Sequence, residues 1–167
     1  MNTQFNNVNR FHLKLFEGWR NIPFDTDAQL QNLLAVGLDY LKLDIAIISR
    51  IHGKQYTIEH CVGEGLERGQ QFDLGITYCS ITTRQNQVLA IHNMAISEHF
   101  RHPCYEAFKL ETYIGSPTRL NGNIYGTINF SSTESRDTSF TDEQRLFVQL
   151  MGEVVNWSLL SRPEDED

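Results

Sequence analysis

The chain has 167 residues, the length of one domain, and 40% of them are apolar, which is enough for one hydrophobic core. The 14 Lys and Arg against 21 Asp and Glu give a net charge of −7, which disfavours a nucleic-acid binder or an electrostatic anchor on anionic lipid. No apolar run approaches the roughly 20 residues that span a bilayer. The polar first residues and three cysteines without a CxxC motif predict a cytoplasmic domain without a disulfide framework.

Helical periodicity marks the first part of the chain. A first helix is predicted over 8–20, and Pro23 separates it from a second helix that begins near Asp25 or Thr26. The second helix carries one apolar stripe, formed by Leu30, Leu33, Leu34, Leu38 and Leu41. We divide the chain into a helical segment over 1–24, a domain over 25–161 and an acidic tail over 162–167.

The middle of the chain switches to the shorter period of strands. An isoleucine-rich strand over 43–51 and a partner over 55–62 flank a tight turn. Further along, we predict a short strand and a short helix over 71–84, a strand over 87–92, and a loop with one or two helical turns over 93–108.

The end of the chain contains the clearest local signals. Strands over 111–120 and 123–131 are joined by Asn121-Gly122, a pair typical of a two-residue hairpin turn. Thr141 and Gln144 have the spacing of a capping box for a last helix that runs to about Leu160. Its predicted broad apolar face consists of Leu146, Phe147, Leu150, Met151, Val154, Val155 and Leu159.

Together these elements predict an α+β domain with a six-stranded, mostly antiparallel sheet flanked by N- and C-terminal helices. The apolar faces of the terminal helices have two interpretations. The helices form the seam of a homodimer, which we favour, or they cover one face of the sheet.

Residues 72–151 carry the ordered segments FDLGITYCS, HPCYEAF, LETYIGSPTRL-NG-NIYGTINFSS and SFTDEQRLFVQLM. This order resembles the GAF domain, particularly GAF domains of bacterial and cyanobacterial sensor kinases and cyclases. The resemblance implies a small-molecule sensing module, with helices on one side of a six-stranded sheet and a ligand pocket under loops on the other.

Two cysteines resemble those of GAF-fold enzymes that reduce free methionine-(R)-sulfoxide. Cys79 follows Gly75 in the spacing of one enzyme cysteine, and Cys104 resembles the loop cysteine, with His102 placed to favour its thiolate. The enzymes' substrate-holding carboxylates are missing, because the corresponding run reads Ile128-Asn129-Phe130-Ser131. Glu111 is left as one carboxylate contact.

Other ligand classes fit the sequence less well. His92, His99, His102 and Cys104 lie mostly on one loop without the paired spacing of a zinc site, so we predict no metal. Tyr105 follows Cys104 where bilin-binding GAF domains usually have histidine. Phe130 follows Asn129 where the cyclic-nucleotide signature has lysine. We therefore expect no cofactor.

We expect a non-catalytic sensory or regulatory GAF module that binds an unidentified small molecule, dimerises, and engages neither nucleic acid nor membrane, with a signalling partner protein left open. Ligand closure of loops 77–84 and 93–108 would shift the terminal helices. The alternatives are a thiol-dependent reductase using Cys104 and Cys79, and a degenerate dimerisation module. Polar and aromatic side chains predicted to bind the ligand are Tyr78, Cys79, Ser80, His92, His102, Cys104, Tyr105, Glu111, Tyr113 and Asn129.

Overall fold

The computed structural model describes residues 26–162. In chain order the elements are α1 (Thr26–Leu41), β1 (Ile45–His52), β2 (Gln55–Val62), β3 (Gln71–Asp73), α2 (Cys79–Gln85), β4 (Leu89–Ile91), α3 (Pro103–Phe108), β5 (Thr112–Leu120), β6 (Asn123–Ser132) and α4 (Asp142–Leu160). Short 3₁₀ turns cover Leu74–Ile76 and Met94–Ile96. The predicted helix over 8–20 and most of the acidic tail lie outside the described residues.

The strands form one antiparallel sheet of six in the order β3-β2-β1-β6-β5-β4. This confirms the predicted α+β class. Asn121 and Gly122 both have positive φ, 51° and 80°, as the two-residue hairpin turn between β5 and β6 requires. The turn fixes the pairing of the two longest strands.

Alternation of side chains gives the sheet two different faces. The helix face, formed by Ala46, Ile48, Ile114, Ile128 and Phe130, is covered by α1 and α4. Gly37 of α1 allows a close approach there, because a Cβ atom would lie 2.4 Å from the ring of Phe130.

The site face is defined by Ile47, Tyr56, Tyr113, Asn129 and Ser131, and α2, α3 and the connecting turns cover it. Its buried residues form a second cluster, separate from the cluster on the helix face.

Two β-bulges interrupt the alternation. Ile48 pairs with His60 while Ser49 pairs with Ile58, so Glu59 has no partner on β1 and His60 turns to the helix face. Thr118 pairs with Gly126 while Arg119 pairs with Ile124, which leaves Tyr125 without a partner on β5.

Helix α4 begins at the predicted capping box, in which Thr141 Oγ1 accepts a hydrogen bond from the Gln144 N–H and the Gln144 side chain accepts one from the Thr141 N–H. The predicted broad face was partly wrong, because Leu146 is 41% exposed. The buried stripe instead includes Val148, Gly152 and Ser158, since small residues let the helix approach β5 closely.

No helix among residues 26–162 combines the length and apolar character needed to cross a membrane.

Candidate functional site

A cavity of about 240 Å³ lies on the site face of the sheet. Its floor comes from Ile45, Ile47, Tyr56, Tyr113, Asn129 and Ser131, and its roof from the start of α2, from α3 and from Leu110. Strand pairing explains the floor, because Ile47 lies opposite Asn129, and Asn129 lies opposite Gly115. Side chains from opposed positions point to the same side of a sheet.

Cys79 lies at the centre of a buried polar network at the start of α2. Its Sγ atom is 3.2 Å from Thr127 Oγ1, 3.4 Å from Asn129 Nδ2 and 3.5 Å from the Tyr113 hydroxyl. Burial raises the pKa of the Cys79 thiol, and these hydrogen bonds only partly oppose the shift. The thiol therefore stays protonated at neutral pH.

Tyr113 lies across the floor of the cavity because Gly115, its neighbour on the same face, has no side chain. A Cβ atom at Gly115 would lie 2.4 Å from the Tyr113 hydroxyl oxygen. That hydroxyl is 2.8 Å from Thr82 Oγ1, which connects β5 to the second turn of α2. Burial raises the pKa of Tyr113 well above its usual value.

Cys104 lies in the first turn of α3 and is 2% exposed. Burial raises the pKa of its thiol to about 12. The prediction that His102 favours the Cys104 thiolate was wrong. The His102 Nδ1 atom accepts a hydrogen bond from the Cys104 backbone N–H at 3.1 Å and caps α3. A nitrogen that accepts a hydrogen bond carries no proton, and burial also lowers the pKa of His102.

Five of the ten predicted binding residues line the cavity, and the other five lie around it. The lining residues are Tyr78, Cys79, Cys104, Tyr113 and Asn129. Ser80 Oγ donates to the Thr77 carbonyl and lies 3.2 Å from His102 Nε2, so this pair joins α2 to α3 outside the cavity.

The remaining predicted residues have local partners. Glu111 was expected to supply the one carboxylate contact to the ligand. Its Oε1 atom instead accepts a hydrogen bond from the Tyr105 hydroxyl at 2.6 Å, and neither residue lines the cavity. His92 follows β4, and its backbone carbonyl accepts hydrogen bonds from Thr112 and Arg136.

Sequence reasoning missed part of the cavity wall: Ile45, Ile47, Tyr56, Leu66, Phe72, Ser131 and others. One available signal was the alternation of Asn129 and Ser131 along β6, which places two polar residues on one side of the strand, with Thr133 directly after its end. Tyr56 and Phe72 had no such signal, because they reach the cavity through pairing of β2 with β1 and β3.

No group of three or more His, Cys, Asp or Glu side chains that could hold a metal ion occurs within residues 26–162. The Nε2 atom of His99 lies 3.7 Å from the exposed carboxylate of Glu98.

The fold is a six-stranded sheet with helices on one face and the cavity on the other. Comparison with known protein families identifies the family that has this fold. The model of the GAF domain matches residues 25–159. This chain belongs to the GAF family. No curated protein sequence matches it.

Solved structures show the same GAF fold at low identity. The GAF domain from Acinetobacter phosphoenolpyruvate-protein phosphotransferase is 13% identical, with a TM-score of 0.70 over 96% of this chain and 94% of that one. The chromophore-binding domain of Stigmatella aurantiaca bacteriophytochrome is 13% identical, with a TM-score of 0.72 over 92% of this chain and 60% of that one. The type II free methionine-R-sulfoxide reductase from Thermoplasma acidophilum is 16% identical, with a TM-score of 0.60 over 81% and 95%.

Proposed function

We propose that this GAF domain is a non-catalytic sensory module that binds a small molecule in the cavity on the site face. The observation that carries the proposal is the cavity itself, which is lined mainly by apolar and aromatic side chains with a few polar groups. Such a lining is typical of ligand sites. The fold shared with phytochrome and phosphotransferase-system GAF domains supports a sensory role.

Signalling would proceed through the helices that frame the sheet. The ligand contacts the start of α2 and the first turn of α3, and α2 is joined to β5 and β6 through Thr82, Tyr113 and Cys79. On their other side β5 and β6 pack against α4. Closure of segments 77–84 and 93–108 over the ligand would favour one packing of α4 over another.

We further propose a homodimer that uses the outward side of α4. Leu146, Leu150, Trp157 and Leu160 are separated by four, seven and three residues and lie on one side of the helix, with Glu153 between the two pairs. Trp157 and Leu160 are 68% and 63% exposed. A second copy of this helix offers the same pattern. Sedimentation velocity of Trp157→Glu should show a shift to monomer, with Ile96→Glu, which places the same charge at an exposed apolar residue outside α4, as the matched control. A monomeric parent protein would contradict this part of the proposal.

Native mass spectrometry of protein purified without reductant tests the sensory proposal. We expect a small molecule retained in the native species and lost on denaturation, and an increase in melting temperature when the recovered molecule is added back. The proposal fails if no small molecule or partner protein changes either the stability of the domain or the hydrogen exchange of α4.

A thiol-dependent sulfoxide reductase is the second candidate, because Cys79 and Cys104 line the same cavity. In that reaction a thiolate attacks the sulfoxide sulfur and forms a sulfenic acid as methionine leaves. The second thiol then displaces water from the sulfenic acid to form a disulfide, which an added dithiol reduces. Raised pKa values at both thiols work against the first step. Cys104→Ser should abolish turnover of free methionine-(R)-sulfoxide by an enzyme and leave ligand binding by a sensor nearly unchanged.

A further inference from the structure

The cavity wall has no fixed positive charge. Among the described residues that line it, there is no Lys, Arg or His, and the only carboxylate is that of Glu64, which is exposed at the rim. Transfer of a phosphate or carboxylate into this space would leave a buried anion without a partner, which is strongly unfavourable. An anionic ligand is therefore disfavoured both at the entrance and inside.

The titratable groups inside the cavity are neutral as well. Burial raises the pKa of both thiols, Cys79 and Cys104, and of the three phenols, Tyr56, Tyr78 and Tyr113. None of them supplies a negative charge at neutral pH to compensate an ammonium group. A cationic ligand would have a charged partner only at the rim.

Two polar atoms of β6 remain available on the floor. Asn129 directs its amide nitrogen toward Thr127 Oγ1 at 3.1 Å and, at 3.4 Å each, toward the Tyr56 hydroxyl and Cys79 Sγ. Within the described residues, Asn129 Oδ1 and Ser131 Oγ take part in no hydrogen bond, although both residues line the cavity. Neither oxygen is among the fully buried, unpartnered side-chain atoms of the described residues, so both are accessible from the cavity and the floor offers acceptors to a ligand.

Size and wall chemistry restrict the ligand further. An apolar cavity of roughly 150 Å³ takes a benzene molecule, so 240 Å³ suits a molecule of one or two rings. Aromatic side chains surround this space, and the Phe72 and Phe108 rings lie edge to face with their centroids 5.4 Å apart. Flat faces and edges of this kind favour an aromatic guest.

We propose that the cavity binds an uncharged aromatic molecule of one or two rings whose N–H or O–H group donates a hydrogen bond to Asn129 Oδ1. This inference rests on the proposed ligand-binding function and narrows its ligand class. Ser131, two residues along β6, accepts or donates a second hydrogen bond where the molecule carries a second polar group.

Four probes with the same number of non-hydrogen atoms test the proposal: indole, indene, benzoate and benzamidine. Titrations followed by two-dimensional NMR report both affinity and position. Indole should bind tightest, about 3- to 10-fold tighter than indene, because indene lacks the N–H donor. Benzoate and benzamidine should bind at least about tenfold more weakly than indole. The largest shifts should fall on residues of the cavity, including Cys79, Tyr113 and Ser131.

Substitutions distinguish binding of indole in the cavity from nonspecific binding elsewhere on the protein. Ser131→Leu fills the floor and should abolish indole binding, whereas Ser139→Leu makes the same change at an exposed loop position and should not. Asn129→Leu removes the acceptor and should make indole and indene bind equally. If Ser131→Leu does not fold, the ratio of indole to indene affinity in the parent and in Asn129→Leu decides the question.

Each result has a distinct meaning. Tighter binding of benzoate or benzamidine in the cavity would overturn the ligand class and leave the sensory proposal standing. Failure of all four probes to bind would also overturn the ligand class, while native mass spectrometry of the purified protein would still decide separately whether the domain holds a ligand.

Discussion

Glu59 and Tyr125, the two residues left without strand partners by the β-bulges of β2 and β6, hydrogen-bond to each other. The Tyr125 hydroxyl donates to Glu59 Oε1 at 2.5 Å, and the Arg162 guanidinium just beyond α4 lies 3.4 Å from Glu59 Oε2 and 3.2 Å from the Tyr125 oxygen. Burial and the Glu59 carboxylate raise the pKa of Tyr125 to about 12. The bulges thus create a polar clamp that holds the end of α4 to the sheet.

Loss of the clamp should loosen the end of α4. We expect Glu59→Gln to lower the free energy of unfolding by about 1 kcal/mol, since the Arg162 pair is partly exposed. Amide exchange over residues 157–162 should become faster. Glu67→Gln, the same substitution at an exposed loop position away from α4, serves as the control. Unchanged exchange in Glu59→Gln would show that packing alone holds the helix end.

The three cysteines should differ in reactivity. Burial raises the pKa of all three thiols, so exposure decides the order. With iodoacetamide at pH 8, Cys61 should be modified first, because it is partly exposed, while Cys79 and Cys104 are buried. Mass spectrometry of a time course gives the order, and urea-unfolded protein gives the reference rates. Rapid modification of native Cys104 would mean that its thiolate is accessible, and would favour the reductase.

The His102 cap should make stability depend on pH. The pKa of His102 is lower in the folded domain than in the unfolded chain. Below about pH 6.5 the unfolded chain therefore binds a proton that the folded domain does not, and the free energy of unfolding decreases as the pH falls. His102→Ala should cost about 1 kcal/mol at pH 8 and less at lower pH. Chemical denaturation across pH measures both. His52→Ala, the same substitution at the exposed end of β1, is the matched control because His52 caps no helix.

Gly115 should be needed for the position of Tyr113. Gly115→Ala places a Cβ atom against the tyrosine hydroxyl and should destabilise the domain by about 1–3 kcal/mol. Tyr113→Phe alone loses the hydrogen bond to Thr82. In the double variant part of the clash disappears, so its cost should be smaller than the sum of the two single costs. Additive costs would show that Tyr113 already has room to move.

The carboxylate of Asp27, at the start of α1, should stabilise the folded domain at neutral pH and lose this effect at acidic pH. Hydrogen bonds from His60 at 2.9 Å and Arg68 at 3.1 Å lower the pKa of its carboxyl group. A lowered pKa contributes stability above the unfolded value near 3.9, and that contribution is lost as pH falls through the folded value. Asp27→Asn should therefore cost less than about 1 kcal/mol at pH 7, given the exposure of Asp27, and progressively less as the pH falls below about 3.9.

Asp39→Asn is the matched control for this prediction. Asp39 lies on the same helix, and both it and its partner Lys42 are more than three-quarters exposed. Equal effects of the two substitutions on thermal unfolding would show that the His60 contact contributes nothing specific.

The sequence by itself determined the elements whose signals are local. Asn121-Gly122 fixed the hairpin because both residues accept positive φ, and Thr141 with Gln144 fixed the start of α4 because the two side chains satisfy backbone groups three residues apart. The order of these elements predicted the six-stranded sheet, and the motifs of residues 72–151 predicted the GAF family through their resemblance to it.

Tertiary structure alone decided the site. Cys79 and Asn129 are 50 residues apart in the chain and meet only because β6 lies beneath α2. The lowered pKa of His102 depends on its burial by surrounding segments, and the partners of Glu59 and Tyr125 depend on bulges without a sequence signal. Burial, close packing and hydrogen bonding between distant segments set these features, and residue spacing does not encode them.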